Sequence, residues 1–176
     1  KLEAYSLINA EELINDSEAM KHGRRIYQNN CVVCHGRTGK GTKFFPDLTD
    51  SDWLYGGSPA AIKTSIIDGR KGIMPPWKGI LQTEQIDNVV SLLRGEESEA
   101  GEAVYATYCI ACHGSSKEGN PWLGAPNLAD NIWLYGASED DIKISISEGR
   151  SGVMPSQKAF LSEKKIHLLS AYVFSL

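Results

Sequence analysis

Apolar residues recur at helical spacing in several parts of the chain. In SEAMKHGRRIYQNNC, Met20, Ile26 and Tyr27 form a partial apolar stripe, and Ser17 is the candidate cap of the helix. The segments TEQIDNVVSLLRG and SEKKIHLLSAYVFSL show the same spacing, and NAEEL predicts a short helix capped by Asn9. Because no segment alternates convincingly between apolar and polar residues, the pattern predicts an all-α protein.

Two further helices are indicated by the residues at their ends. Ser58 is a cap followed by Pro59 at the first helical position, and Gly69 closes that helix. Ser138 opens the other helix with an acidic capping-box pattern, and Gly149 closes it. The two predicted helices occupy equivalent places in an internal repeat.

The chain contains two copies of one sequence pattern. PDLTDSDWLYGGSPAAIKTSIIDGRKGIMPPWKGIL begins at Pro46, and PNLADNIWLYGASEDDIKISISEGRSGVMPSQKAFL, which begins at Pro126, aligns with it without a gap at an offset of 80 residues. Two copies are too few for a solenoid, so they predict two tandem domains produced by a duplication. We expect an N-terminal extension at 1–16, a first domain at 17–95 and a second domain at 96–176.

Composition and charge narrow the class of protein. With 41% hydrophobic and 23% charged residues among 176, the chain is typical of a soluble globular protein. Its apolar runs are too short to span a bilayer, and it shows no signal peptide, which fits either a mature protein or a trimmed chain. The net charge of −4 argues against nucleic acid as a partner. The charge is uneven, with a net +1 through Gly95 and a net −5 after it.

The strongest chemical signal is a pair of CxxCH strings. They place Cys31, Cys34 and His35 in the first copy and Cys109, Cys112 and His113 in the second. On a helix with about 100° per residue, the three side chains of each string fall within one arc of roughly 100°. Two thiols and an imidazole on one side suit covalent haem attachment, with thioethers to the porphyrin and a histidine on the iron.

Other uses of CxxC fit this sequence less well. A structural zinc site commonly takes two CxxC pairs about 15–20 residues apart, whereas these pairs are 78 residues apart. A thioredoxin-like dithiol accompanies a βαβ element, and the sequence indicates none. Disulfides are possible in an oxidising compartment but leave His35 and His113 without a role. The sequence therefore predicts two c-type haems, each with one iron, as cofactors.

Methionine is the expected opposite ligand of each iron, since histidine with methionine is an electron-transfer arrangement. Met74 follows His35 by 39 residues. Met154 follows His113 by 41 residues, and both methionines precede a proline that stiffens the loop. We expect each methionine to serve the histidine of its own copy. Met20 has no counterpart in the second copy and is expected in the core.

Six residues paired between the copies are candidates for the surroundings of the haems: Pro46 and Pro126, Trp53 and Trp133, Arg70 and Arg150. The prolines are candidates to offer a carbonyl to the ligating histidine, since such a histidine usually donates its other N–H. The aromatic residues, with Tyr55 and Tyr135, are candidates to line the porphyrin, and the arginines to pair with propionates. Core packing of the tyrosines and surface placement of the arginines are equally open. His22 and His167 lack counterparts and are expected to be surface or core residues.

Three segments carry a family resemblance: NLxDxxWLYG, GRxGVMP and the C-terminal KIHLLSAYVFSL. They resemble the dihaem cytochrome c subunit of cbb3-type haem-copper oxidases, over nearly the whole chain. The resemblance implies two tandem cytochrome c domains, each a small helical bundle around one covalently bound haem. It also implies a periplasmic location, a membrane anchor outside this chain, and electron transfer from a reduced cytochrome to the oxidase core subunits, where oxygen becomes water.

One departure from the family pattern distinguishes the copies. The first copy has Met-Pro-Pro-Trp, ending in Trp77, close to the usual Met-Pro-Ala-Trp of the family, whereas the second has Met-Pro-Ser-Gln, ending in Gln157. A polar glutamine near the methionine admits more water, and exposure tunes haem potential. We therefore expect two different midpoint potentials.

Two other functions use the same motifs. A free periplasmic dihaem shuttle cytochrome carries the same residues. A dihaem peroxidase requires an open iron, whereas Met74 and Met154 fill both, so we expect no catalytic residue in this chain. The acidic second copy, with Glu139, Asp140 and Asp141, is suited to steering a basic donor cytochrome.

Overall fold

The computed structural model describes residues 2–176, so Lys1 of the predicted extension lies outside the described residues. Its helices, in chain order, are α1 (Leu2–Tyr5), α2 (Ala10–Leu13), α3 (Ser17–Asn30), α4 (Val32–His35), α5 (Pro59–Asp68), α6 (Thr83–Leu93), α7 (Glu99–Tyr108), α8 (Ile110–His113), α9 (Glu139–Glu148) and α10 (Glu163–Phe174). Two strands, β1 (Arg70–Met74) and β2 (Arg150–Met154), form a two-stranded sheet.

The two strands correct the expectation of an all-α protein. About half of the chain is helical, so that description holds only approximately. Both strands are five residues long and contain a glycine. Their apolar residues Ile73 and Val153 point outward and are each 64% exposed. An alternation between polar and apolar residues is therefore missing from the sequence of both strands, although burial alternates along β1.

Side-chain caps fix where the helices begin. Asn9 caps α2 as expected, accepting from the backbone N–H of Glu11. The cap of α3 is Asp16, one residue before the predicted Ser17, and its carboxylate accepts two backbone N–H groups at 2.9 Å. Ser58 and Ser138 cap α5 and α9 as predicted, each accepting a backbone N–H at 3.2 Å.

The described chain divides into two compact units that do not follow the two sequence copies. Unit 1 takes the chain up to Arg70 together with Val153–Leu176, and unit 2 is Lys71–Gly152. Domains at 17–95 and 96–176 were expected. Each unit instead combines one CxxCH string with the Met-Pro loop and final helix of the other copy. Exchange of equivalent segments preserves every local pattern, so the sequence cannot reveal it.

The core of unit 1 lies between α3, α5 and α10. Tyr27, Ile62, Ile166 and Leu169 are buried there in one cluster. The extension expected to stand apart packs on the same unit, because Leu13 of α2 is buried in a cluster with residues of α3 and α10.

The core of unit 2 lies between α6, α7 and α9. Val89 and Val90 of α6, Val104 of α7 and Ile142 of α9 are buried in one cluster. Each unit therefore buries its own apolar core, as an independently packed body does.

No helix among residues 2–176 has the length and apolar character needed to cross a membrane.

Candidate haem-binding sites

Each CxxCH string forms a single helical turn, α4 in unit 1 and α8 in unit 2. Cys31 and Cys109 follow the last residues of α3 and α7 and cap the new turn. Burial, with a smaller contribution from the neighbouring Cys34 and Cys112, raises the pKa of each of these two thiols to about 11. Reactive CxxC dithiols have a lowered pKa, so this environment is unlike that of a redox dithiol.

Both motif histidines hydrogen bond to a proline carbonyl in their own unit. The Nδ1 of His35 lies 3.0 Å from the Pro46 oxygen, and the Nδ1 of His113 lies 3.1 Å from the Pro126 oxygen. A carbonyl only accepts, so Nδ1 carries the proton and Nε2 keeps its lone pair. Burial lowers the pKa of both histidines, although the carbonyl bond opposes this. Each ring is therefore a neutral imidazole suited to binding a metal through Nε2.

Two tyrosines for which the sequence predicted no role at the CxxCH strings hold the residue after each histidine. Tyr27 donates its hydroxyl to the Gly36 carbonyl, and Tyr105 donates to the Gly114 carbonyl, both at 2.8 Å. Burial raises the pKa of both tyrosines to about 12. The sequence does contain a signal for these two tyrosines, because each lies four residues before the first cysteine of its CxxCH string.

A pocket in unit 2 brings the second CxxCH string together with the first methionine. It is lined by Cys109, His113, Met74, Trp77 and Tyr105, with aliphatic side chains around them, and has about 350 Å³ of space including its mouth. The ring of Trp77 is also held edge-on against Tyr108, with centroids 5.5 Å apart.

In unit 1, the first CxxCH string lies with the second methionine. Cys31 and Met154 are both partly buried against the same apolar cluster of α3, α5 and α10. The backbone of Met154 also closely approaches Gly69, since a Cβ at that glycine would lie 2.4 Å from the Met154 carbonyl oxygen. The structure thus pairs Met154 with the first string and Met74 with the second, which differs from the expected pairing within each copy.

The predicted surrounding residues occupy matched positions in the two units. Trp53 packs against the core of unit 1. Trp133 packs against the core of unit 2, and its indole N–H donates to the Asp130 carbonyl at 3.2 Å. The guanidinium of Arg70 lies 4.5 Å from the centroid of the Tyr55 ring. Arg150 and Tyr135 repeat that stacking, also at 4.5 Å.

The remaining candidates lie away from the CxxCH strings. The ring of His22 is 6.3 Å from that of Tyr5, and the Nε2 of His167 is 2.9 Å from the Ile8 oxygen. Met20 packs against the cluster of α2, α3 and α10. These contacts agree with the structural roles expected for the three residues.

The residues present fit a covalently bound haem in each unit. Paired cysteines, a neutral histidine with a free Nε2 and a methionine in an apolar setting form the donor set. In addition, the buried hydroxyl of Tyr55 in unit 1 has no hydrogen-bond partner among the described residues. A buried polar atom in that state is suited to a group that the chain itself does not supply.

Comparison with known proteins agrees with these features. The model of the family described as cytochrome c oxidase, cbb3-type, subunit III matches residues 18–93 and again 96–173. The cbb3-type cytochrome c oxidase subunit CcoP of Rubrivivax gelatinosus is 42% identical over 95% of this chain and 58% of its own length. The subunit FixP of Bradyrhizobium sp. strain ORS 278 is 36% identical over 90% of this chain and 61% of its own length. The CcoP subunit of Rhodobacter capsulatus is 36% identical over 88% of this chain and 61% of its own length.

The chain spans about three fifths of the length of these relatives. Its two family matches cover both copies of the repeat and nearly all of the described residues. The chain therefore belongs to the family of cbb3-type cytochrome c oxidase subunit III.

Proposed function

We propose that this chain is the two-haem electron-transfer part of a cbb3-type oxidase subunit. In this role it accepts electrons from a reduced cytochrome and delivers them to the core subunits of the oxidase. The observation that carries the proposal is the pocket of unit 2, where Cys109, His113 and Met74 line one apolar space. When bound, each haem supplies an iron that alternates between the ferric and ferrous states and so carries one electron.

The cysteines anchor one haem in each unit through thioethers: Cys31 and Cys34 in unit 1, Cys109 and Cys112 in unit 2. The residues that would bind each iron are exchanged between the copies of the repeat. His35 and Met154 would hold the iron in unit 1, and His113 and Met74 would hold it in unit 2. Support for this pairing comes from the shared apolar cluster of Cys31 and Met154 and from the shared pocket of His113 and Met74.

The chain contributes rigidity and exclusion of water. The proline carbonyls fix the tautomer and direction of His35 and His113. Tyr27 and Tyr105 hold the turn after each histidine. The buried apolar clusters keep the surroundings dry, which favours the reduced state of the iron and raises its potential.

The two sites differ in the residue that follows the Met-Pro loop. Trp77 lines the pocket of unit 2, whereas the amide of Gln157 in unit 1 donates to the Pro155 carbonyl at 3.1 Å. A polar amide replaces an aromatic wall, so we propose that the two haems have different midpoint potentials. A redox titration that fits one potential for both haems contradicts this part of the proposal.

The proposed partners are a donor cytochrome and the oxidase core subunits, and the proposed location is the periplasm, with membrane attachment through an anchor outside this chain. We assign no catalytic residue. A free shuttle cytochrome and a dihaem peroxidase are less favoured, because the curated relatives are named as oxidase subunits.

The test is the purified holoprotein from cells that attach c-type haems. Its mass is expected to exceed that of the polypeptide by two haems, and its ferric and ferrous spectra to be those of low-spin haem with histidine and methionine ligands. Reduction by a small cytochrome donor is expected to be fast. A mass equal to that of the bare polypeptide overturns the proposal, and a high-spin ferrous spectrum with rapid peroxide reaction favours the peroxidase.

A further inference from the structure

One buried hydroxyl in unit 1 lacks a partner. Among the buried side-chain nitrogen and oxygen atoms of residues 2–176, the Oη of Tyr55 alone makes no hydrogen bond. A buried hydroxyl without a partner loses its hydration and gains nothing in return, so such atoms are rare in native proteins. This atom therefore points to an acceptor that the chain itself does not provide.

Arg70 stacks on the ring that carries this hydroxyl. Its guanidinium lies 4.5 Å from the centroid of the Tyr55 ring, and its Nε donates to the Ser65 hydroxyl at 2.8 Å. The two Nη atoms of Arg70 have no acceptor anywhere in residues 2–176. A half-buried guanidinium with two free donors, next to a free hydroxyl donor, is suited to a carboxylate.

The Tyr55–Arg70 pair is close to the proposed haem site of unit 1. Arg70 follows Gly69, whose Cα lies against the backbone of Met154. Tyr55 follows Trp53 by two residues, and Trp53 packs on the cluster that also holds Cys31 and Met154. Both members of the pair are therefore near in sequence to residues that contact Met154 or share its cluster, and Met154 is proposed to hold this haem.

The matched arginine of unit 2 has more of its donors in use. Arg150 donates from Nη2 to the Ser145 hydroxyl at 2.8 Å and to the Asp141 carbonyl at 3.4 Å. Its Nε also donates to Ser145, at 3.0 Å. The same stacking on a tyrosine therefore occurs in both units. Both Nη groups of Arg70 lack an acceptor, whereas Nη2 of Arg150 has two, and only the hydroxyl of Tyr55 is a buried atom without a hydrogen bond among residues 2–176.

We propose that Tyr55 and Arg70 form a carboxylate-binding site that holds a propionate of the haem attached at Cys31 and Cys34. The Tyr55 hydroxyl and the Nη groups of Arg70 donate to the propionate oxygens, while Nη2 of Arg150 is held by bonds within its own unit. The inference rests on the proposed haem attachment. It adds an asymmetry that the repeat does not predict, since the two copies have identical residue types at these positions.

The donors act on the iron through charge. A propionate near the iron stabilises the ferric state, and hydrogen bonds from Tyr55 and Arg70 partly neutralise that negative charge. Removing a donor therefore lowers the midpoint potential of the haem in unit 1. Removal of the matched hydroxyl of Tyr135 has a smaller effect on the haem in unit 2.

The experiment compares Tyr55→Phe with Tyr135→Phe in the two-haem holoprotein, with Arg70→Gln and Arg150→Gln as a second matched pair. Mass spectrometry counts the haems, a redox titration measures both potentials, and redox-difference infrared spectra with ¹³C-labelled propionates report their hydrogen bonding. We expect Tyr55→Phe to lower one of the two potentials and to shift the labelled carboxylate band, and Tyr135→Phe to leave both nearly unchanged.

Three outcomes overturn the proposal. The first is two intact haems with wild-type potentials and an unshifted carboxylate band in Tyr55→Phe. The second is an equal response of the two tyrosine variants. The third is a difference in potential between wild type and Tyr55→Phe that disappears in excess acetate or phosphate. That result shows that the site binds a free anion and not the propionate. A mass that lacks both haems in the wild type is a failure of the proposed function instead, and is recognised before any variant is compared.

Discussion

Met74, from the first copy of the repeat, lines the same pocket as His113, from the second copy. Met154 correspondingly packs on the cluster that holds Cys31. The chain leaves unit 1 after Arg70 and returns to it at Val153, so each copy gives its methionine loop to the other unit. Exchange of identical elements is a low-cost rearrangement after duplication, because every exchanged segment finds an equivalent set of contacts.

The first prediction concerns which methionine serves which histidine. In a variant with Cys31→Ala and Cys34→Ala, only the second string can hold a haem. Adding Met74→Ala is expected to abolish the far-red charge-transfer band of methionine-ligated ferric haem, because Met74 lines the pocket of His113. Adding Met154→Ala is expected to retain it. Met20→Leu, which lies in a separate cluster, serves as the control. The opposite pattern, with the band lost only in Met154→Ala, shows that the ligands pair within each copy.

The second prediction concerns the boundaries of the folding units. The continuous segment 71–152 contains all of unit 2, including α6, α7, α9 and both Met74 and His113. We expect this segment to fold as a monomer that binds one haem with histidine and methionine ligands. The segment 96–176, of nearly equal length, contains His113 but not α6, and serves as the comparison. An unfolded 71–152 beside a stable, monomeric 96–176 contradicts the exchange of segments.

Local sequence signals predicted the helices well. Ser58, Ser138 and Asn9 cap helices as their residue types indicated. These features depend on neighbours a few residues away, which a single sequence records. The proline carbonyl beside His35 was also suggested by spacing, and the structure has a hydrogen bond there.

Features that depend on distant pairing were not visible in the sequence. The exposed Ile73 and Val153 leave both strands without an alternation of apolar and polar residues in the sequence, and burial alternates only along β1. The sequence does not reveal the exchange of Met74 and Met154, because both copies have the same motif. A repeated pattern does not indicate which copy supplies the methionine to which unit. The cap at Asp16 displaced Ser17 because a carboxylate accepts two N–H groups at once.

The third prediction tests a close backbone approach beside Met74. Gly149 has φ of +70°, and a Cβ there would lie 2.4 Å from the Met74 carbonyl oxygen. We expect Gly149→Ala to destabilise the protein by roughly 3 kcal/mol or more, combining left-handed strain with steric overlap. The far-red methionine band of the haem in unit 2 is expected to weaken as well.

The matched control for this change is Gly79→Ala. Gly79 has φ of +88° but nothing within 4 Å of an added Cβ, so alanine there suffers only the conformational strain of about 1–2 kcal/mol. Both variants are compared by chemical denaturation and by ferric spectra. Equal destabilisation with unchanged spectra in the two variants contradicts a role of Gly149 in placing Met74.

The fourth prediction concerns the tyrosine that holds the turn after His113. Tyr105→Phe removes the hydroxyl donated to the Gly114 carbonyl and is expected to lower the free energy of unfolding by about 1 kcal/mol at pH 8. Burial raises the pKa of Tyr105 to about 12, against roughly 10 in an unfolded chain. The neutral hydroxyl therefore stabilises the fold fully below about pH 10, and this contribution is lost as the pH rises towards 12.

Chemical denaturation of wild type and Tyr105→Phe at pH 8, 10 and 11.5 measures this effect. The difference in stability is expected to shrink across that range, since phenylalanine does not titrate. Tyr108→Phe is the control, because Tyr108 contributes its ring to Trp77 and its side chain is 36% exposed. A difference between wild type and Tyr105→Phe that stays constant up to pH 11.5 contradicts the raised pKa as the cause.

The last prediction concerns the unequal charge of the two units. Unit 2 has 6 basic and 12 acidic residues, a net charge of −6, while the sequence of unit 1 has 12 basic and 10 acidic residues, a net charge of +2. The exchange of segments thus makes the asymmetry larger than that between the two sequence halves. A basic donor cytochrome is expected to approach unit 2, with a reduction rate that falls steeply as salt is added.

Two double variants with the same change in net charge separate this steering from the total charge. Glu96 and Glu97 are exposed acidic residues of unit 2, and Glu11 and Glu12 are exposed acidic residues of unit 1. Glu96→Lys with Glu97→Lys is expected to slow reduction by a basic donor at low salt by roughly tenfold, because the local attraction that raises the encounter rate is weakened. Glu11→Lys with Glu12→Lys is expected to change the rate much less. Stopped-flow reduction at several salt concentrations measures both, and equal slowing by the two variants shows that the donor responds to net charge and not to a docking face on unit 2.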